Sequence, residues 1–178
     1  EQERYSRDLI LEEFRLEAQE KLKGAKGLVV GAGGLGCPAL LYLCAAGVGI
    51  IGIIDHHIIS LSNFQTQVMY GSGDVGRLKV EAAKEVIGQR NPNVEVKIYS
   101  ERITSQNALE ILGEYDLVLD GTDNFATRYL LNDACVILKK PLIYGAIFKF
   151  EGQVSVFKNK GGIERIERAD WDRRKILG

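Results

Sequence analysis

The chain has 178 residues, 46% of them hydrophobic, and 23 basic against 24 acidic side chains leave a formal net charge of −1. A domain of this size buries roughly two-thirds of the surface its unfolded chain exposes, so a true core is expected. Balanced charge excludes attraction to nucleic acid or anionic membrane by bulk electrostatics, because such binders carry a clustered basic excess.

Three cysteines, Cys37, Cys44 and Cys135, are widely spaced and none belongs to a C-x-x-C pair. That pattern disfavours a disulfide framework and a structural zinc site, and it fits reduced thiols in a cytoplasmic protein. No apolar run approaches the roughly 20 residues that a bilayer-spanning helix needs, so no membrane association is expected. The sequence begins at Glu1 rather than Met, as a trimmed part of a longer protein would.

In chain order, residues 1–26 form an N-terminal arm in which Leu9, Ile10, Phe14, Leu16 and Leu22 lie among charged neighbours, the spacing of one or two amphipathic helices. The run 27–30 is a short apolar strand, 35–46 a buried helix that tolerates Pro38 in its first turn, and 50–54 a second strand. Helical spacing covers 79–89, and Asn91-Pro92-Asn93 punctuates it before an alternating strand over 94–99. A short helix over 105–112, a buried strand over 116–119, a helix over 124–138 and an apolar strand over 142–144 continue the alternation. This order predicts a Rossmann-like α/β fold, a mostly parallel sheet with helices on both faces. A final strand over 153–157 follows a connection short enough for antiparallel pairing. Residues 27–157 thus form the nucleotide-binding unit, and 158–178 is a charged tail.

Gly31-Ala32-Gly33-Gly34-Leu35-Gly36 matches G-x-G-x-x-G between a predicted strand and a predicted helix. Glycines there allow a tight turn and close approach of phosphate to backbone N–H groups, and the helix N-terminus adds partial positive charge. Asp55, nineteen residues after Gly36 in the sequence, is placed to accept hydrogen bonds from ribose hydroxyls. The loop alone does not separate NAD from ATP. Too little chain follows Asp120 for a nicotinamide pocket and a substrate domain, which ranks an NAD-dependent oxidoreductase below an ATP-using protein. Asp120-Gly121-Thr122-Asp123-Asn124 ends a buried strand on the ligand-binding edge of the sheet, where a carboxylate can hold Mg²⁺. Asp123 is either such a contact or the N-cap of the next helix; Lys79 is either a phosphate ligand or a solvated lysine.

These motifs, together with Arg4-Tyr5-Ser6-Arg7, Ser60-Leu61-Ser62-Asn63, Val75-Gly76-Arg77-Leu78-Lys79 and Arg128, resemble the ThiF/MoeB/HesA-type adenylyltransferases of thiamine and molybdopterin biosynthesis, relatives of the ubiquitin-activating enzymes. The resemblance covers residues 4–157. It implies binding of ATP and Mg²⁺, and adenylation of the C-terminal glycine carboxylate of a ubiquitin-fold sulfur carrier ending in Gly-Gly, with release of pyrophosphate. In the matching positions Gly31, Gly33, Gly34 and Gly36 form the phosphate turn and Asp55 holds the ribose. Asn63, Thr66, Lys79, Asp123 and Asn124 line the nucleotide, and Asp123 is the metal ligand. Arg7 matches an arginine that reaches the ATP of a partner subunit, which implies a homodimer and a catalytic set of Arg7, Lys79 and Asp123.

Two positions depart from the family pattern. Asp55-His56-His57 replaces Asp-x-Asp, and Asn63-Phe64-Gln65-Thr66 replaces Asn-x-x-Arg. A charge-assisted hydrogen bond is worth about 1.5–3 kcal/mol, so loss of the arginine weakens phosphate binding unless another cation substitutes. His57 either carries charge or metal at the site or is a loop histidine with no catalytic part, its ring pointing away from that of His56 if the chain there is extended. These departures keep open a catalytically degenerate partner subunit as an alternative to an active enzyme. The family's zinc-binding cysteine pairs and thioester cysteine lie beyond Phe157, where this sequence has no cysteine, so the chain reads as abbreviated. Cys37, Cys44 and Cys135 fall in helical segments and are expected to pack as small apolar residues.

Overall fold

The computed structural model describes residues 3–6 and 16–157. Arg7, most of the expected arm helix and the 158–178 tail lie outside the described residues. The elements run α1 (Leu16–Gly24), β1 (Lys26–Val30), α2 (Gly36–Ala46), β2 (Ile50–Ile54), α3 (Lys79–Arg90), β3 (Glu95–Tyr99), α4 (Ala108–Gly113), β4 (Leu117–Asp120), α5 (Phe125–Leu138), β5 (Leu142–Phe148) and β6 (Glu151–Phe157). Two short 3₁₀ turns, Leu61–Asn63 and Ser72–Asp74, lie between β2 and α3.

The six strands form one sheet in the order β3-β2-β1-β4-β5-β6. β1 pairs in parallel with both β2 and β4, β2 with β3 and β4 with β5 in the same sense, while β6 runs antiparallel to β5. The sheet is therefore the expected Rossmann-like one. The chain leaves β1 toward β2 on one side and returns to β4 on the other, so a crevice opens beyond the carboxyl ends of β1 and β4, the place where ligands bind in such sheets.

Strand periodicity divides the core between the two faces. Val29, Ile51 and Ile53 point to one side and pack with Leu40, Cys44, Val80, Ala83 and Ile87 of α2 and α3. Leu28, Val30, Ile54 and Val118 point to the other and pack with Leu112 of α4 and Leu131 and Cys135 of α5. Both faces of the central strands are covered, which is why their sequences read as continuous apolar runs.

Two predicted elements differ from those observed. The helix expected over 105–112 begins at Ala108, because the Asn107 side chain accepts hydrogen bonds from the Thr104 backbone N–H (2.7 Å) and hydroxyl and holds the preceding residues in a turn. The strand expected over 142–144 continues to Phe148. Only Leu142, Ile143 and Tyr144 pair with β4, whereas all seven residues of β5 pair with β6, so the hairpin supplies the partner for the second half. The part of the arm that is described docks at the strand-N-terminal edge of the sheet. There the buried Tyr5 hydroxyl accepts a hydrogen bond from Asn91 Nδ2 (2.8 Å), which also donates to Cys44 O.

Candidate functional site

The six-residue turn after β1 contains glycines of two kinds. Gly31 has φ +89°, and a Cβ on it would lie 3.0 Å from Gly121 O; a Cβ on Gly36 would overlap Gly31 O. Backbone packing alone requires glycine at both. Gly33 and Gly34 are different: a Cβ on Gly33 would meet only Gln67 Nε2 at 3.9 Å, and one on Gly34 only Thr66 at 3.7 Å or more. Nothing in the fold needs glycine at 33 or 34. Their bare backbone leaves room for a group that approaches from outside, as the phosphate reading requires.

Asp55, one residue beyond β2, is buried, and its carboxylate is engaged on both sides. Oδ2 accepts from the backbone N–H of Ala32 at 2.8 Å, tying the acid to the glycine turn. Oδ1 accepts from the His57 backbone N–H at 2.8 Å and lies 2.8 Å from His57 Nδ1. The expected opposition of the two histidines is therefore corrected. The His57 backbone N–H bonds back to the Asp55 carboxylate, and the His56 and His57 rings lie close together, with centroids 3.9 Å apart and planes tilted by 39°.

Lys79 opens α3 and is buried, with 7% of its surface exposed, which sets aside the solvated lysine. Its stem is covered while its ammonium makes no hydrogen bond or ion pair among the described residues and keeps contact with solvent. Tyr70, which sequence reasoning did not single out, links it to the glycine turn. The Tyr70 hydroxyl is 2.8 Å from Ala32 O and 3.4 Å from Lys79 O. Burial holds this phenol strongly in its protonated form, so it remains a donor. Gln67, buried next to Gly33, has an Oε1 with no hydrogen-bond partner. Its only sequence signal was position, one residue past Thr66.

Asn63 Oδ1 accepts from Ser60 N–H at 3.0 Å, capping the 3₁₀ turn, so this oxygen serves the loop and the amide nitrogen is left for a ligand. Thr66 is exposed, its hydroxyl 3.4 Å from Asn63 O, and its side chain is the one closest to Gly34.

On the other side of the crevice, Asp120 ends β4 and is 1% exposed. Its Oδ1 accepts from the Thr122 N–H (2.9 Å) and hydroxyl (2.6 Å), while Oδ2 has no hydrogen-bond partner and lies 4.0 Å from Arg128 Nε. Burial raises the Asp120 pKa against the opposing pull of Thr122 and Arg128. Arg128 donates to Thr122 O (2.6 Å) and Tyr144 Oη (2.9 Å). Two buried charged residues thus fix the turn that presents Asp123. Asp123 itself is exposed and makes no hydrogen bond or ion pair among the described residues. The N-cap of α5 is Asn124, whose Oδ1 accepts from Thr127 N–H at 2.9 Å, so capping does not account for Asp123. The same bond leaves only the Asn124 amide nitrogen for a nucleotide.

The three cysteines are buried with free thiols, Cys37 and Cys44 in α2 and Cys135 in α5. Burial raises the pKa of all three, that of Cys135 to about 12, so thiolate chemistry is suppressed. No helix among the described residues is long and apolar enough to cross a membrane.

Both the sequence and the fold have counterparts among known proteins. Residues 5–174 match the model of the ThiF family. The chain is 53% identical over 155 residues to the sulfur carrier protein adenylyltransferase of Thermus thermophilus, covering 87% of this chain and 57% of that protein. It is also 53% identical over 154 residues to the probable adenylyltransferase/sulfurtransferase MoeZ of Mycobacterium tuberculosis, covering 86% of this chain and 39% of the relative. The chain therefore spans about half the length of these relatives or less. Among solved structures, E. coli MccB with AMPCPP and MccA superposes with a TM-score of 0.85 at 26% identity, over 98% of this chain and 54% of that one. E. coli tRNA N6-threonylcarbamoyladenosine dehydratase TcdA in complex with ATP superposes at 0.77 and 26% identity, over 83% of this chain and 62% of that one. By the extent of the family match and by sequence identity to these relatives, the chain belongs to the ThiF family.

Proposed function

We propose that this chain binds ATP and Mg²⁺ and adenylates the C-terminal glycine carboxylate of a small ubiquitin-fold sulfur carrier ending in Gly-Gly, working in the cytoplasm as one half of a homodimer. The observation that carries the reading is Lys79, a largely buried lysine whose ammonium has no ion pair among the described residues, its backbone carbonyl tied through Tyr70 to a glycine turn with open backbone at Gly33 and Gly34. A polyphosphate supplies the missing negative charge.

The carrier's carboxylate is already ionised, so no general base is needed. One of its oxygens bonds to the α-phosphorus as the bond to the bridging oxygen breaks, and pyrophosphate leaves with the electron pair. Positioning and charge stabilisation dominate such a step. Lys79 neutralises phosphate charge, and Gly31, Gly33, Gly34 and Gly36 bring backbone to the phosphates. Asp55 accepts from ribose, and the amides of Asn63 and Asn124 donate at its rim, with Thr66 beside Gly34. Mg²⁺, held by Asp123, would offset phosphate charge. Arg7 serves the partner's site in this reading. Tyr5, two residues earlier in the chain, is anchored against Asn91 at the sheet edge opposite the glycine turn, which favours a role away from its own chain's nucleotide.

The test is ATP–pyrophosphate exchange in the presence of a Gly-Gly-ended carrier. Carrier-dependent exchange that falls about a hundredfold in Lys79→Gln is expected; absence of exchange with every carrier offered would overturn the proposal. A second reading, a degenerate subunit that binds nucleotide weakly beside a complete partner, is favoured by Thr66, a neutral side chain against Gly34. The double substitution His57→Asp with Thr66→Arg separates the two. A large gain in ATP affinity marks a degenerate site, and a loss marks a retuned one.

A further inference from the structure

Asp55, His56 and His57 present three ligand atoms, one from each side chain, that all lie within 4.8 Å of one another. We infer that they form a binding site for a late first-row divalent transition-metal ion, represented by Zn²⁺, distinct from the Mg²⁺ position assigned to Asp123. Two imidazoles and one carboxylate are a donor set such ions favour, with water filling the open positions.

The carboxylate is already oriented for this. Asp55 Oδ2 is held by Ala32 N–H at 2.8 Å, which leaves Oδ1 facing the histidines, and a ligand fixed by a second hydrogen bond binds metal better than a free one. His57 Nδ1 is 2.8 Å from Oδ1. Zn²⁺ sits about 2.0–2.2 Å from nitrogen and oxygen donors, so its ligands can be no more than about 4.3 Å apart. The 4.8 Å that bounds the cluster is at most a small amount beyond this. The exposed imidazole rings can close it by rotation while Asp55 stays in place. His57 exchanges its hydrogen bond to Asp55 for a shared ion.

His56 is prepared for the same exchange. Its Nε2 is 3.1 Å from Arg102 Nη2, and because a guanidinium only donates, Nε2 is the unprotonated nitrogen. Arg102 is also the charge that opposes a cation here, and it is exposed and free to swing away.

Metal binding stands without any nucleotide. One consequence does rest on the ATP reading: an ion on Asp55 removes the acceptor assigned to ribose, so Zn²⁺ and ATP should compete. The test titrates the full chain with Zn²⁺ by calorimetry and with Co²⁺ by visible absorption, in the absence of nucleotide. One equivalent is expected to bind with an intense Co²⁺ band. Each of His56→Gln and His57→Gln should weaken binding by about a hundredfold, since even outer partners of a metal ligand are commonly worth about 10- to 100-fold. Arg102→Gln should tighten it. Unchanged melting temperatures of the metal-free variants would confirm that the loss is one of ligands. No binding at all, or binding equal in wild type and both histidine variants, overturns the site. ATP affinity measured in chelator then tests the nucleotide reading separately, so each can fail alone.

Discussion

Asp55 and Asp120 stand on the same edge of the sheet, at the ends of strands on either side of β1, and they are used in different ways. Asp55 engages both of its oxygens, one with the backbone of the glycine turn and one with His57. Asp120 spends Oδ1 on Thr122 and buries Oδ2 without a hydrogen bond beside Arg128. In the proposed reading the first acid faces the nucleotide, whereas the second is an internal brace for the turn that carries Asp123. An acidic residue at the carboxyl end of a strand is therefore not by itself a ligand-binding residue; its burial and the groups packed around it decide its role.

The sharpest way to break this comparison is to cut the brace. Arg128→Met leaves Asp120 buried beside an apolar side chain, and loss of one partner of a buried charged pair costs about 3–5 kcal/mol. Thermal unfolding of the variant should drop steeply, whereas an equal change made at the Asp55 side, His57→Gln, should alter melting little because the His57 ring is 60% exposed.

The glycine turn offers the next test. Gly36→Ala places a methyl group into Gly31 O, and overpacking of this kind costs about 1–3 kcal/mol, visible as a lower denaturation midpoint. Gly34→Ala meets only Thr66 at ordinary contact distance and should leave the midpoint unchanged while weakening ATP binding. Equal effects of the two substitutions on stability would show that all the glycines serve packing alone.

The smallest effect is expected on the Asp123 side. Asn124→Ala removes the α5 N-cap and should destabilise by about 1 kcal/mol, measured by urea unfolding. Asp123→Asn, with no partner to lose among the described residues, should not change stability but should reduce Mg²⁺-dependent exchange.

Much of this was legible in the sequence. Apolar runs at 27–30 and 50–54 with a longer apolar segment between them specify β1-α2-β2, because runs of four or five residues bounded by glycine or a charged residue are too short for a helix. The glycine turn and Asp55 followed from the same unit, and the buried cysteines from their place in helices. Less legible was whatever depended on a partner remote in the chain. The second half of β5 needed β6, and the start of α4 needed Thr104 bound to Asn107.

The amino-acid sequence by itself determined the order of elements, the parallel sheet and the position of the phosphate turn, since these follow from local periodicity and from glycines that only one backbone path accommodates. Only the tertiary structure decided how each charge is used. It buried most of Lys79 with no ion pair among the described residues, bonded Tyr70 across to the glycine turn, turned His57 back onto Asp55 and gave the cap of α5 to Asn124 in place of Asp123. Burial and hydrogen-bond partners come from segments distant in sequence, and they set whether a polar side chain is already satisfied or still open to a ligand.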